Sequence, residues 1–295
     1  MKILNQASGP NWTLYQGDSA EVVQGLPDNS VGLSVYSPPF SNLYCYSDSE
    51  RDMGNSLDDA QFLTHYGYLT RELLRITRPG RLAAVHCKDL VDYKGRDGRA
   101  GLRDFPGDLI RVHEANGWKY HSRVTVWKDP VVEMQRTKAH GLLYKQLRAD
   151  STFSRQGLAE YVLIFRKWAA EGEEVAPVTH TPDTFPLRQW QEWASPCWMD
   201  IDQTNVLNTA IARDDADEKH MCPLQLDLIE RCVRMWSNAG DVVFSPFAGI
   251  GSEGVQSLTH DRKFIGVELK TSYFNMAVRN LSAARKQMDL FGVAL

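Results

Sequence analysis

Residues 31–40, VGLSVYSPPF, decide the fold of this chain, because an apolar run meets two consecutive prolines there. Residues 31–36 predict a short buried β-strand. The prolines cannot donate to a sheet ladder, so the strand has to end by Ser37. The rigid turn that follows holds a hydroxyl, an exposed carbonyl and the Phe40 ring together, a set that can bind a planar amino group and stack on its ring. A proline-terminated strand with a packed Phe is the plainer interpretation of the same residues.

A second strand-and-turn unit lies at residues 241–252, DVVFSPFAGIGS. Its first four residues predict a strand. Gly249 and Gly251 in the turn allow the backbone to approach a ligand closely, and Ser252 can cap the next helix. Residues 264–268 predict a further strand that ends in a glutamate. A glycine turn followed by an acid at the next strand tip favours binding of an adenosine ribose through its hydroxyls.

Strands and helices alternate along most of the chain. Apolar residues at helical spacing predict a helix from Asp59, capped by Asp58 or Asp59 and stopped by the Pro-Gly pair at 79–80. The remaining predicted elements are strands at 12–17, 82–85, 124–127 and 161–165 and helices at 19–26, 107–117 and 226–236. This alternation implies parallel β-α-β units, so we expect an α/β fold with a doubly wound, mostly parallel sheet.

The composition is that of an ordinary globular protein, with 295 residues of which 43% are hydrophobic and 24% charged. No apolar run approaches the roughly 20 residues needed to span a bilayer. Residues 1–6 lack the apolar core of a signal peptide, so we expect a cytoplasmic protein. The five cysteines are scattered and form no C-x-x-C pair, which predicts reduced thiols and no metal site.

The net charge of −4 conceals an uneven distribution. Residues 171–218 hold eleven acidic and two basic residues, a net of −9, which leaves +5 for the rest of the chain. Two basic loops with glycines predict contacts with the phosphates of a nucleic acid, although a solvated, mobile surface explains either loop alone. The candidate DNA-binding residues are Lys88, Lys94, Arg96, Arg99 and Arg103 in the first loop and Arg136, Lys138, Lys145, Arg148 and Arg155 in the second.

Residues 168–218 interrupt the alternation with a segment that is rich in proline and acid and holds Trp190, Trp193 and Trp198. We expect an inserted subdomain or partner surface, in which the tryptophans are packing anchors. Cys197 follows a proline, as the nucleophile of cytosine C5 methylation does. Because it does not end a predicted strand, we interpret it as incidental.

The two turns together resemble the catalytic and cofactor motifs of S-adenosylmethionine-dependent DNA amino-methyltransferases, the N6-adenine and N4-cytosine family. The catalytic motif comes first, which is similar to the circularly permuted β group, and nearly the whole chain takes part. The resemblance implies S-adenosylmethionine as cofactor, double-stranded DNA as substrate and a homodimer. The catalytic residues it implies are Ser37, Pro38, Pro39 and Phe40. The cofactor-binding residues it implies are Asp18, Ser37, Lys219, His220, Pro223, Ser245, Phe247, Ala248, Gly249, Gly251, Ser252 and Glu268.

That resemblance also implies a class I methyltransferase-like fold, a mostly parallel sheet with one reversed strand and helices on both faces. It divides the chain into a catalytic half at 1–167, an acidic, Trp-rich insert at 168–218 and a cofactor-binding half at 219–295. The insert would serve target recognition or dimer contact.

In such an enzyme the target base leaves the duplex, its amino group donates to Ser37 and the Pro38 carbonyl, and Phe40 stacks on its ring. Two other classes stay open. One is a methyltransferase of RNA, protein or a small molecule, which would share the cofactor half. The other is a non-catalytic protein that binds DNA or a partner.

Two sequence patterns bear on the identity of the target base, and they favour different bases. A Ser-Pro-Pro-aromatic motif favours cytosine N4 within the family, in which Asp or Asn in place of Ser37 marks adenine N6. Family members also often have Asp where this chain has Ser245, a difference that bears on how the cofactor turn is fixed. The compact chain and its run at residues 40–55 resemble solitary, phage-type methyltransferases, which often modify adenine. We therefore expect adenine N6, ahead of cytosine N4.

Overall fold

The computed structural model describes residues 3–40, 52–137, 139–207 and 223–292, without the side chains of residues 96–97, 136–137, 140 and 285–292. The strands are β1 (Asn5–Gly9), β2 (Trp12–Gln16), β3 (Val31–Tyr36), β4 (Thr77–Lys88), β5 (Leu90–Asp92), β6 (Gly101–Arg103), β7 (Lys119–Val126), β8 (Glu160–Arg166), β9 (Cys197–Trp198), β10 (Val242–Ser245) and β11 (Lys263–Glu268). The helices are α1 (Ser19–Val23), α2 (Asp59–Ile76), α3 (Lys94–Asp97), α4 (Phe105–Ala115), α5 (Pro130–Thr137), α6 (Tyr144–Ala149), α7 (Leu187–Trp193), α8 (Leu226–Trp236), α9 (Ser252–Thr259) and α10 (Thr271–Gly292).

Nine of these strands form one sheet in the order β1-β2-β11-β10-β3-β4-β8-β7-β9. Strands β2, β11, β10, β3 and β4 pair in parallel, and β8 is antiparallel to both of its neighbours. The predicted mostly parallel α/β sheet is thus confirmed. A second reversed strand, β1, was not predicted; it pairs with β2 through a turn in which Asn11 takes a positive φ of 67°.

The sheet is covered on both faces, as a doubly wound fold requires. Strand β3 is buried along its whole length, and its apolar residues are divided between two apolar clusters. Val31 and Tyr36 pack with α2 and α4 on one face, while Leu33 and Val35 pack with α8 on the other. A central parallel strand buried on both faces explains why the sequence shows a continuous apolar run there.

Helix α2 confirms the predicted start and corrects the predicted stop. Asp58 caps it by accepting the Gln61 N–H at 2.8 Å. The helix ends at Ile76, and the Pro-Gly pair at 79–80 lies inside β4, at an irregularity in the pairing with β3. The pair therefore shapes the strand entry rather than the helix end.

The described part of the acidic insert joins the main sheet, because β9 pairs with β7. Trp198 is buried, and its indole N–H donates to the carbonyl of Trp193 at 2.9 Å. The Arg231 guanidinium of α8 lies over both rings. These two tryptophans are packing anchors, as expected, whereas Trp190 remains 52% exposed.

Candidate active site

The two motifs singled out in the sequence meet in one cleft of about 1360 Å³. The cleft lies at the carboxyl ends of the parallel strands, where ligands bind in open α/β sheets. Strands β3, β10 and β11 bring Ser37, Pro246 and Glu268 to its wall. Further predicted residues in its wall are Asp18, Pro38, Pro39, Phe40, Pro223, Phe247, Ala248, Gly249 and Ser252. Lys219 and His220 lie outside the described residues.

Glu268 holds the glycine turn at the end of the cleft where we expect the cofactor to bind, called here the cofactor side. Its carboxylate accepts the backbone N–H of Gly249 at 2.8 Å and that of Lys270 at 2.9 Å. Burial raises the pKa of Glu268 to about 7, against the effect of these two hydrogen bonds. Gly249 has a φ of 52°, and a Cβ built there would meet no atom within 4 Å. A carboxyl group beside an open glycine turn fits the hydroxyls and edge of a nucleoside.

The structure of the glycine turn also corrects three predictions. Gly251 does not line the cleft: its φ is 91°, and a Cβ there would lie 3.3 Å from Ala277 of α10. It is the backbone N-cap of α9, so Ser252 is the first helical residue and not the cap. The Ser245 side chain is buried below the cleft wall. Gly251 and Ser245 therefore shape the turn from behind, whereas Ser252 lies in the cleft wall.

The interpretation of the turn as a G-x-G that lacks the third glycine of the G-x-G-x-x-G fingerprint is wrong, because Gly254 completes that spacing with Gly249 and Gly251. A Cβ at Gly254 would come within 2.4 Å of Leu281 and 2.6 Å of Phe264. Its role is thus the close packing of α9 against the sheet and α10, which is the role of the third glycine in such turns.

The turn after β2, which carries Asp18, is hydrogen-bonded to the glycine turn on the cofactor side. Asp18 caps α1 by accepting the Ala20 N–H at 2.8 Å. The neighbouring Ser19 hydroxyl donates to the Pro246 carbonyl in the glycine turn. The residues at this end of the cleft therefore fit S-adenosylmethionine, with a carboxylate on each side and an open backbone turn between.

The opposite end of the cleft holds a chain of polar side chains behind Ser37. Ser37 Oγ lies 3.1 Å from His86 Nδ1. His86 Nε2 lies 3.1 Å from Glu160 Oε2, which also accepts from Lys128 Nζ at 2.8 Å. Although burial alone would raise it, His86 and Lys128 lower the pKa of Glu160 to about 2. The carboxylate is therefore ionised at neutral pH.

Phe40 forms the flat side of the same pocket. Its ring packs edge-on against Phe105, with centroids 6.1 Å apart, and Lys88 Nζ lies 5.6 Å from its centroid. The ring is only partly buried and lines the cleft. One ring face can therefore receive a planar ligand.

The predicted DNA-binding residues divide by their surroundings. Lys88 and Lys94 line the cleft, and Arg99, Lys145 and Arg148 are exposed. Arg103 forms ion pairs with Asp59 and Asp92, so its charge is matched within the fold. Arg155 lines the cleft 3.5 Å from Glu133. The side chains of Arg96 and Arg136, and all of Lys138, lie outside the described part of the chain.

Sequence reasoning did not single out His86, Lys128 or Glu160. His86 comes just after the predicted strand 82–85, and Glu160 just before 161–165. Polar residues at strand ends beside a motif are the signal that could have identified them. No helix within the described residues is long and apolar enough to span a membrane, and no group of three potential metal ligands is found there.

Comparison with known proteins identifies the family. A family model described as DNA methylase, of the N6/N4 class, matches residues 31–279. The type II methyltransferase M.Cfr9I of Citrobacter freundii is 25% identical over 299 residues, which cover 91% of this chain and 87% of that protein.

Two solved structures share the fold. TTHA0409 of Thermus thermophilus, assigned as a DNA modification methylase and solved with S-adenosyl-L-methionine, is 24% identical with a TM-score of 0.66, covering 92% of this chain and 93% of its own. The cytosine-N4-specific PvuII DNA methyltransferase is 15% identical with a TM-score of 0.66, covering 97% and 96%. This chain therefore belongs to the N6/N4 family of DNA methylases, which transfer a methyl group from S-adenosylmethionine to an exocyclic amine of DNA.

Proposed function

We propose that this chain methylates adenine N6 at a specific site in double-stranded DNA. The proposal rests above all on one observation: the Ser37 hydroxyl, the Phe40 ring and the Glu268–Gly249 turn line a single cleft. A flipped base seated against Phe40 would have its amino group beside Ser37 and toward the cofactor turn. Adenine is favoured by the likeness of residues 40–55 to solitary methyltransferases.

Each side of the cleft has a distinct task. S-adenosylmethionine supplies a methyl group activated by a positive sulfur. Glu268 and Asp18 would hold its nucleoside, and Phe247, Ala248 and Gly249 would form the wall beside it. Binding at these residues fixes the donor before the base arrives, which is how positioning lowers the barrier of a transfer reaction.

Ser37 and Phe40 would act on the base. An exocyclic amine is a weak nucleophile while its lone pair is conjugated with the ring. Hydrogen bonds from the amine to Ser37 Oγ and the Pro38 carbonyl favour the tetrahedral nitrogen and the positive charge that develop during attack. Stacking on Phe40 aims the nitrogen at the donor.

Duplex DNA would lie across the mouth of the cleft. A base within the helix cannot reach Ser37, so the target nucleotide has to flip out. Lys88 and Lys94 in the cleft wall and Lys145 and Arg148 on α6 would hold the phosphates on either side.

Cytosine N4 is the second candidate, because the motif holds Ser37 where Asp is common in adenine enzymes. The test is mass spectrometry of nucleosides from DNA methylated by the purified protein, with DNA from cells lacking the gene as control. We expect N6-methyladenine. N4-methylcytosine alone would replace the target base but keep the amine chemistry, and the absence of both modified nucleosides would refute the proposed function.

A further inference from the structure

We propose that His86 and Glu160 form a proton relay behind Ser37, so that the serine hydroxyl can remove the proton that the methylated amine has to lose. This inference rests on the proposed function, because it concerns the same amine. It assigns a role in the reaction to two residues that lie outside the Ser-Pro-Pro-Phe motif.

The geometry is that of a continuous hydrogen-bonded chain. Ser37 Oγ, His86 Nδ1, His86 Nε2 and Glu160 Oε2 follow one another with contacts of 3.1 Å on each side of the imidazole. Lys128 Nζ closes the chain at 2.8 Å from the same carboxylate oxygen. The side chains of His86, Lys128 and Glu160 are 8%, 9% and 15% exposed, and all three line the cleft together with Ser37.

The tautomer of His86 follows from its partners. An ionised Glu160 can only accept a hydrogen bond, so when the imidazole is neutral its hydrogen is on Nε2. Nδ1 then presents its lone pair to Ser37. The serine can donate either to this nitrogen or to the His86 carbonyl at 3.3 Å. In both cases its own lone pairs remain available for the substrate amine.

The proton balance of methyl transfer requires such an acceptor. As the N–C bond forms, the C–S bond breaks and its electron pair stays on sulfur, which becomes a neutral thioether. The nitrogen is left with a positive charge and one proton too many. Ser37 Oγ takes that proton while its own proton passes to His86 Nδ1. The positive charge thereby ends on an imidazolium beside Glu160, and solvent later removes the proton.

The relay also accounts for a serine at this position. Family members often carry a carboxylate there, whereas Ser37 itself is neutral. Glu160 supplies a negative charge through the imidazole instead. Lys128 keeps that carboxylate ionised and aligned, which makes it a positioning residue.

The kinetic test is a double-mutant cycle in single-turnover methyl transfer, with cofactor affinity measured by calorimetry. His86→Ala is expected to lower the rate by about a hundredfold, within the range of general acid–base catalysis, with cofactor affinity unchanged. In a Ser37→Ala background the same change is expected to have no further effect. Multiplying losses in the double variant would overturn the relay. His121→Ala, an exposed histidine on β7, is the matched control and should transfer at the wild-type rate.

Chemical rescue separates a relay from a structural role. Imidazole added to the His86→Ala variant should raise its methyl-transfer rate at least tenfold. It should not change the rate of the Ser37→Ala/His86→Ala double variant. Failure of the rescue in a folded, cofactor-binding variant would count against the proposal. The rate comparison is repeated with His86→Gln, which changes the side-chain volume less than His86→Ala.

A measurement without cofactor tests the ring itself. In histidine-labelled protein, ¹⁵N NMR should show His86 as the Nε2–H tautomer, and Glu160→Gln should abolish that preference. A dominant Nδ1–H tautomer in the wild type would refute the relay. If the wild type methylates no DNA base, the proposed function fails whatever the tautomer; if it methylates DNA but the cycle and rescue fail, only the relay is lost.

Discussion

At the scale of single residues, substitution of Phe40 tests the positioning of the base separately from cofactor binding. The Phe40 ring packs edge-on against Phe105, and Lys88 Nζ lies near it. Truncation to alanine therefore removes the ring on which the base would stack but leaves the Ser-Pro-Pro turn in place. Phe40→Ala is expected to slow single-turnover methyl transfer at least tenfold, since stacking of a base on an aromatic ring is worth about 1–3 kcal/mol. Cofactor affinity should not change. Phe40→Tyr should keep most of the rate, and near-normal turnover of the Ala variant would remove the stacking role.

Glu253 predicts a pH dependence of folding stability. Burial, helped by the charge of Glu268, raises its pKa to about 8, from 4.5 for an ordinary glutamate. Between these values the folded protein keeps a proton that the unfolded chain has lost. The group therefore contributes a loss of stability as the pH rises from about 4.5 to about 8. Glu268, with a pKa of about 7, acts in the same direction.

Glu253→Gln should remove most of this dependence, because glutamine resembles the protonated carboxyl and never ionises. Thermal unfolding is expected to show a higher Tm than the wild type at pH 9 and a similar Tm at pH 5. Glu114→Gln, on the exposed face of α4, is the control. If the Tm difference between Glu253→Gln and the wild type is the same at pH 5 and pH 9, Glu253 is ionised in the folded protein at both pH values.

At the scale of elements, α6 presents two exposed cations near the cleft. Lys145 and Arg148 lie three residues apart, on neighbouring turns of this helix. Replacing both by Gln should weaken DNA binding and lower the slope of log K against log salt by about two, since each phosphate contact contributes roughly 0.9. Arg188→Gln, exposed on α7 within the acidic insert, should leave the slope unchanged. An unaltered slope in the double variant would exclude α6 from the DNA interface.

At the scale of the whole molecule, Asp241 connects two parts that are far apart in sequence. Its carboxylate forms ion pairs with Arg78 at 2.9 Å and with the buried Arg81 at 3.2 Å, both from β4. Asp241→Asn would leave Arg81 buried without a counter-charge, and such losses cost about 3–5 kcal/mol. Urea denaturation should show this loss. Asp28→Asn should cause a much smaller change, because Asp28 is 70% exposed and its partner Arg75 also pairs with Glu72.

The association state is a second property of the whole molecule. We expect a homodimer, in which the 33.4 kDa chain scatters light at twice that mass at micromolar concentration. Trp193 and Trp198 are buried within the chain, whereas Trp168 and Trp190 of the insert are 71% and 52% exposed, and Trp190 belongs to the tryptophan cluster expected at the dimer contact. Trp190→Lys should then shift the mass toward the monomer, whereas Leu4→Lys at the β1 edge should not. A wild-type monomer would contradict the expectation.

The sequence by itself determined the elements whose signals are local. Strand β3 and helix α8 have the predicted bounds, because a buried apolar run and a helical apolar period depend only on neighbouring residues. The two turns at strand ends were recognisable for the same reason. Since parallel strands end at one edge of a sheet, their meeting in one cleft was also foreseeable.

Only the tertiary structure decided which side chains stand behind those turns. His86 is 49 residues from Ser37 and 74 from Glu160, and they meet because Tyr36 pairs with Val85 and Lys88 with Glu160. Likewise, Gly251 faces α10 rather than the cleft because of where that helix packs. Sheet register and helix packing are set by the summed burial of many distant residues, so no local pattern could specify these contacts.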